Sequence, residues 1–289
     1  MYKFPIGVII DSFRCEFNEG IKKAVACGAD GIQMYAVSGE FSPENFTPGR
    51  RKEILDIVKS NGLVFSALCG DLGQGFGDES KNPALIEKSK RIIELAKDLE
   101  TDIVTTHIGI VPNVTGSVTL DKSIKTYEVM QKACSELGRY ADSLNAYFAL
   151  ETGPERSDVL KEFLDSLGTK GLSVNFDPAN LVMVMGERPV PAVYNLKDYI
   201  VHTHAKDGIK LSDKSPEEIY GKNIENEVRT ERAFKELPLG EGDVDFDSYL
   251  KALDDIGYKG FLTIERECGA NPARDIENAV KFLRDRTKN

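Results

Sequence analysis

No C-x-x-C pair occurs in this chain of 289 residues, and its five cysteines (Cys15, Cys27, Cys69, Cys134 and Cys268) are odd in number and widely spaced. That pattern excludes a disulfide framework and a zinc knuckle and fits reduced thiols in a cytoplasmic protein. Long hydrophobic runs are also missing. The N-terminal run Ile6-Gly7-Val8-Ile9-Ile10 meets Asp11 at once, too soon for a signal-peptide core or a membrane span. We therefore expect a cytoplasmic protein with no membrane partner. No G-x-G-x-x-G follows this first run, which removes the main signal of dinucleotide binding. Positive charge is in deficit, with a formal net charge of −10. Such a surface repels a polyanion, so nucleic acid is not an expected partner.

Strand-like and helix-like segments alternate from end to end. The expected strands are Ile6–Ile10, Gly31–Tyr35, Leu63–Leu68, Ile103–His107, Tyr147–Glu151, Leu172–Asp177, Tyr199–His204 and Phe261–Glu265. They are continuous and apolar, as strands buried on both faces of a parallel sheet must be. Helical spacing of apolar residues marks Arg51–Lys59, Pro83–Leu99, Ser123–Leu144, Ser157–Leu167, Asp247–Ile256 and Pro272–Leu283. Gly62, Gly138, Gly168 and Gly257 fall where left-handed helix caps are expected. Eight such units in one chain of this length predict a (β/α)8 TIM barrel over residues 1–289 as a single domain. One interval breaks the rhythm. The interval from His204 to Glu265 exceeds a normal unit by about 30 residues; the excess sits in residues 210–236, after strand seven on the catalytic rim, so a lid or a subunit contact is expected there. Oligomeric state is left open.

Four strand-like runs end on metal-capable side chains: Glu151, Asp177, His204 and Glu265. The tip of a parallel barrel strand points into the mouth, where active sites of this architecture lie. Three carboxylates and one imidazole converging there would hold one divalent ion, with Mn2+, Mg2+, Co2+ and Zn2+ all compatible with oxygen-rich donors and Mn2+ expected first. His107 closes strand four and is expected to touch substrate. Gln33, at the end of strand two, could reach a substrate hydroxyl. Lys206 could bind a hydroxyl, carboxylate or phosphate. His202 lies one layer below His204 by strand alternation and is expected to support it.

From about Ile6 to Leu283 the chain resembles the xylose isomerase-like TIM-barrel superfamily, in its sugar phosphate isomerase/epimerase group. The resemblance rests on Glu151, Asp177-Pro178-Ala179-Asn180, His204-Ala205-Lys206-Asp207, Leu237-Pro238-Leu239-Gly240-Glu241-Gly242 with Asp245-Phe246, and Ile264-Glu265-Arg266-Glu267. It implies that Glu151 and Glu265 are paired acid/base residues flanking a metal-bound, sugar-derived hydroxy-carbonyl substrate. Proton movement through an enediolate, stabilised by the cation, would then isomerise or epimerise it. Asn180 departs from the group's ketose 3-epimerases, which commonly carry His there. Asn can hydrogen-bond a substrate oxygen but cannot carry a proton at neutral pH. The chain holds three histidines in all, too few for the trinuclear zinc cluster of the endonuclease branch. The expected partner is thus a small sugar or sugar derivative. Dehydration of a keto-polyol such as an inosose is the nearest alternative, ahead of a non-catalytic sugar-binding barrel and an endonuclease-type hydrolase.

Overall fold

The computed structural model describes residues 2–114, 121–220 and 233–287. Its strands are β1 (Ile6–Ile9), β2 (Gly31–Tyr35), β3 (Val64–Cys69), β4 (Ile103–Thr106), β5 (Tyr147–Glu151), β6 (Leu172–Phe176), β7 (Ile200–Ala205), β8 (Asp207–Lys210), β9 (Phe234–Leu237) and β10 (Leu262–Ile264). All but β8 and β9 close into a parallel barrel in the order β1-β10-β7-β6-β5-β4-β3-β2. Helices α1 (Phe17–Cys27), α2 (Pro48–Ser60), α3 (Asn82–Asp98), α4 (Asp121–Ser143), α5 (Ser157–Asp165), α6 (Pro178–Asn180), α7 (Pro189–Asn195), α8 (Pro216–Tyr220), α9 (Phe246–Asp255) and α10 (Pro272–Arg284) accompany it. The (β/α)8 architecture expected from the alternation is the one observed.

Strand alternation divides each barrel strand between two environments. On β6, Leu172, Val174 and Phe176 face outward, and Phe176 stacks on Tyr249 of α9. Ser173 and Asn175 face inward, and the next residue in that row is Asp177. The same period aligns His202, His204 and Lys206 along β7 and Thr263 and Glu265 along β10. A polar stripe therefore climbs the barrel interior toward its C-terminal mouth. Several strands end one residue earlier than expected, so His107, Asp177 and Glu265 stand just beyond the last residue of their strands. The ladder stops there because the chain turns into loops, and the side chains are left projecting over the mouth.

The segment after β7 holds structure that periodicity did not reveal. β8 and β9 form an antiparallel hairpin, with Asp207 opposite Leu237 and Lys210 opposite Phe234. Residues 221–232, the middle of the expected 210–236 insertion, lie outside the described residues. The Asp207 carboxylate fixes the hairpin to the following loop by accepting from the backbone N–H groups of Gly208, Gly240, Gly242 and Val244 at 2.8–3.2 Å. Gly242 must lack a side chain, since a Cβ would sit 2.1 Å from Asp207 Oδ1.

Gly62, Gly168 and Gly257 adopt the left-handed conformation expected of helix caps, at φ 74°, 66° and 77°. Gly138 does not. It lies inside α4, where a Cβ would fall 2.5 Å from Thr169 Cγ2 and 3.2 Å from Leu172 Cβ. The residue is glycine for close packing against the turn before β6, a reason no local pattern discloses. Gly138→Ala should cost about 1–3 kcal/mol by overpacking, and Thr169→Ser in the same chain should return part of it. An unchanged urea midpoint in the single variant would refute this account of the position.

Candidate active site and metal centre

Glu151, Asp177, His204 and Glu265 come together at the barrel mouth. Each is buried, and one ligand atom from each can be chosen so that all four lie within 4.8 Å of one another. His204 Nδ1 stands at the centre, 3.6 Å from Glu151 Oε2, 3.8 Å from Asp177 Oδ2 and 3.4 Å from Glu265 Oε2. These four expected metal-capable residues are brought to one point.

Asp177 shows how the backbone aims a ligand. Its Oδ1 caps the short α6, accepting from Ala179 N at 2.8 Å and Asn180 N at 3.0 Å. Thr152 closes the tip from the neighbouring strand, accepting from Asp177 N and donating to Asp177 O. With the carboxylate so anchored, Oδ2 is turned toward the other three groups, buried and without a hydrogen-bond partner. A buried orphan oxygen is costly unless something binds it. Burial accordingly pushes the Asp177 carboxyl up. A divalent cation would satisfy Oδ2, and three carboxylate oxygens with one imidazole nitrogen suit such an ion.

The supporting contacts fix the remaining ligands. Glu151 accepts from Asn180 Nδ2 on one oxygen (2.9 Å) and from Asn175 Nδ2 on the other (3.1 Å). Asn175 Oδ1 in turn meets His202 Nδ1 at 2.9 Å, and His202 Nε2 meets Thr263 Oγ1 at 3.0 Å. An amide oxygen only accepts, so His202 carries its proton on Nδ1 and takes the threonine hydroxyl on Nε2. Burial holds His202 neutral, with its titration well below the ordinary range. The same logic applies to His204. Its Nε2 lies 3.2 Å from Gln33 Oε1, while Gln33 Nε2 donates to Thr105 Oγ1 at 3.0 Å. Nε2 therefore carries hydrogen, which leaves Nδ1 as the nitrogen that faces the carboxylates.

Lys206 is buried and paired, with Nζ 2.9 Å from Glu265 Oε2 and 2.5 Å from Glu267 Oε2. Burial works against charge on Glu265, but Lys206 and His204 outweigh it and hold this carboxyl well below the ordinary range. Glu267, two residues beyond Glu265, pairs with Lys206 and is not among the four converging groups. His107 is part-exposed at the rim, with Nδ1 3.0 Å from Asp71 Oδ2 and Nε2 3.7 Å from Glu151 Oε1. Burial opposes its charge, yet Glu151 and Asp71 raise its titration to about 9.

Glu151, His204, Glu265, Lys206, Glu267 and His107 line a chamber of about 210 Å³, closed on its apolar side by Ile9, Met183, Tyr220 and Phe234. A neighbouring cleft is larger, about 910 Å³ between Gln74, Ile108 and Lys125. It contains none of the converging groups, so the smaller chamber is the candidate site. Gln33, His107, Asn180 and Lys206, expected to contact substrate, all line it. The amide of Gln33 and that of Asn180 are already engaged by protein partners, a constraint invisible in sequence. Asp71, Glu236 and Asn175 were not singled out from sequence. Glu236 lies on β9 and accepts from Arg266 Nη1 (2.5 Å), Glu267 N (3.1 Å) and Cys268 N (3.3 Å). The hairpin thereby clamps the segment that follows Glu265, and only tertiary pairing could reveal it.

Glu155 lies outside the cluster, buried, and accepts from Val111 N at 3.2 Å. Burial raises its carboxyl to about 8 from an ordinary 4.5. A raised folded-state value means that native protein holds this proton more tightly than unfolded chain does. The stability it brings is full below about 4.5 and is lost as pH rises to about 8. Thermal unfolding of Glu155→Gln should hence fall less than wild type between pH 5 and 8.5, by a margin on the order of a few kcal/mol. Parallel profiles for the two proteins would contradict it.

Comparison with known proteins follows the same outline. The family model described as xylose isomerase-like TIM barrel matches residues 21–286. A solved xylose isomerase domain protein from Planctomyces limnophilus superposes with a TM-score of 0.77 at 24% identity, covering 98% of this chain and 96% of that one. D-psicose 3-epimerase from Clostridium cellulolyticum H10 superposes at 0.71 and 15% identity, covering 97% and 98%. These two likenesses concern the fold. Inosose dehydratase of Clostridium perfringens is 30% identical over 115 residues, a match spanning 39% of this chain and 37% of that enzyme.

Proposed function

Because the chain belongs to the xylose isomerase-like TIM-barrel family, we propose that it is a divalent-metal-dependent isomerase or epimerase of a small sugar or sugar-derived hydroxy-carbonyl compound. The observation that carries the reading is the orphan Asp177 Oδ2 among two glutamates and the Nδ1 face of His204. Glu151, Asp177, His204 and Glu265 would hold the ion. When bound, it would polarise a substrate carbonyl and favour the negative charge that proton removal creates.

The chain's own residues supply the proton chemistry. Glu151 and Glu265 approach the same point from β5 and β10, strands separated by β6 and β7 in the barrel. Both carboxyls titrate below the ordinary range despite burial, Glu151 through His204 and His107, and Glu265 through Lys206 and His204. Each is therefore charged at rest and able to accept a proton. One would remove it from the carbon beside the carbonyl, and the other would return it to the neighbouring carbon or the opposite face. Asn175 and Asn180 hold Glu151 in place, and Lys206 holds Glu265. His107, carried by Asp71, stands where a substrate hydroxyl would enter. Tyr220 and Phe234, from α8 and β9, wall the chamber in keeping with a covering role for the 210–236 segment.

A dehydratase is the second reading, and one observation favours it. His107 stands at the rim with Nδ1 3.0 Å from Asp71 Oδ2, a carboxylate that favours its imidazolium, an acid that could protonate a departing hydroxyl and that a two-glutamate epimerase does not require. The name of the inosose dehydratase relative points the same way. Product analysis separates the two, since dehydration yields a keto-deoxy compound and epimerisation conserves mass.

Two outcomes follow for the metal. Wild-type protein should bind about one Mn2+ per chain by titration calorimetry, and Asp177→Ala should bind none detectable. Gln33→Leu should keep the ion with affinity lowered about 10- to 100-fold, because the His204 tautomer loses its anchor. Equal affinity in Gln33→Leu and wild type would remove that role. For the chemistry, the Mn2+-loaded enzyme should wash deuterium from heavy water into a substrate found among ketoses and keto-polyols. Glu151→Gln should retain the fold and lower that exchange by about 10²- to 10⁴-fold. Undiminished exchange in Glu151→Gln would take away its assigned part.

A further inference from the structure

Glu265 depends on support from outside its own strand. β10 has three residues, and residues 265–271 run without helix or strand before α10 begins at Pro272. His204, by contrast, lies within β7, and Asp177 is anchored on α6. Two charged side chains from distant parts of the chain grip this irregular segment by its two kinds of backbone group. Glu236 of β9 takes the N–H groups of Glu267 and Cys268. Arg14, in the loop after β1, takes carbonyls: its Nη2 donates to Glu267 O at 2.5 Å and its Nη1 to Gly269 O at 3.2 Å. Ser12, from the same loop, accepts from Arg266 N at 3.3 Å.

The backbone of Arg14 adds a second observation. It is left-handed, at φ 53° and ψ 46°, a region that favours glycine and strains a residue with a Cβ. Such a residue persists where its surroundings over-determine it. Here Arg14 N donates to Asp11 O at 3.0 Å, and the guanidinium is held by two carbonyls more than 250 residues away in the chain. Glycine would suit the turn better, but it would supply no fork.

We propose that Arg14 is a positioning residue for the cation site, tying the backbone beyond Glu265 to the β1 loop and so setting where Glu265 presents its carboxylate. The inference rests on the cation reading given under Proposed function. Arg14 is not among the residues lining the chamber, so it acts through the segment it holds. A guanidinium is planar and rigid, and two carbonyls bonded to one fork are placed more closely than a single flexible donor would place them. Charge works in the opposite sense, which makes the two effects separable. A positive group near a cation site repels the ion, so if charge were the only effect, removing Arg14 would tighten Mn2+ binding. If placement decides, removing it weakens binding.

The test is calorimetric titration of the full-length chain with Mn2+, together with electron paramagnetic resonance of the Mn2+-saturated protein, for wild type, Arg14→Gly and Arg14→Lys. Glycine suits the left-handed turn, so Arg14→Gly removes the fork while leaving the loop unstrained. Its Mn2+ affinity should fall about 3- to 10-fold, less than the loss of a ligand's direct partner brings. The zero-field splitting of the bound ion should change as well, since a displaced Glu265 alters the ion's surroundings. Arg14→Lys keeps the charge and loses the fork, and it should fall between the two. Affinity in Arg14→Gly equal to or above wild type, with an unchanged spectrum, would overturn the positioning role and leave the cation site standing. A wild type that takes up no Mn2+ would remove the cation reading and this inference with it.

Discussion

Three buried carboxylates and one imidazole share a volume less than 5 Å across, and nearly everything around them answers that repulsion. At an effective dielectric of about 20, two like charges 4 Å apart repel by about 4 kcal/mol. The barrel cannot remove these groups to solvent, because they stand at strand tips whose direction the sheet dictates. It compensates by pairing. Lys206 lies against Glu265, His204 lies among all three carboxylates, and amide donors from Asn175 and Asn180 meet both oxygens of Glu151. Asp177 is the exception, with one oxygen spent on capping α6 and the other unpartnered. A divalent cation would complete that pattern.

Seen from beneath, the site is the top of a polar column. Ser66 and Thr263 meet at the lower level, His202 and Asn175 stand above them, and Gln33, Thr105 and His204 above those. Within it, His202 sits between the Asn175 amide oxygen and the Thr263 hydroxyl, and His204 sits against the Gln33 amide oxygen. The column fixes which nitrogen of His204 faces the carboxylates and which oxygens of Glu151 are held. From the side, Glu236 on β9 grips Arg266 and the backbone beyond Glu265. The hairpin is tied to the barrel by Asp207 and its four backbone donors. A segment that reads as a rim insertion thus braces one wall of the site.

Much of this was legible in the chain because parallel barrel strands are buried on both faces and read as apolar runs. Their ends are marked by the first polar side chain that the mouth admits. That is why Glu151, Asp177, His204 and Glu265 stand out before any coordinates are seen. What stayed hidden depends on contacts between distant strands. Gln33 reads as a substrate contact until His204 and Thr105, 171 and 72 residues away, take both ends of its amide. Asn180 reads as a weakened histidine until its amide is found on Glu151. Gly138 resembles a helix cap because its local neighbours allow one, and only the approach of Thr169 shows otherwise. The β8–β9 hairpin has no periodic signature, being four residues a side and held by a carboxylate cradle.

The central claim is that the four strand-tip residues form one cation site. Crystals soaked in Mn2+ and measured at an energy where manganese scatters anomalously test it most directly. The account predicts a single strong peak within coordinating distance of Glu151, Asp177, Glu265 and the Nδ1 of His204. A peak bound elsewhere, or none at these four residues under saturating Mn2+, would contradict it.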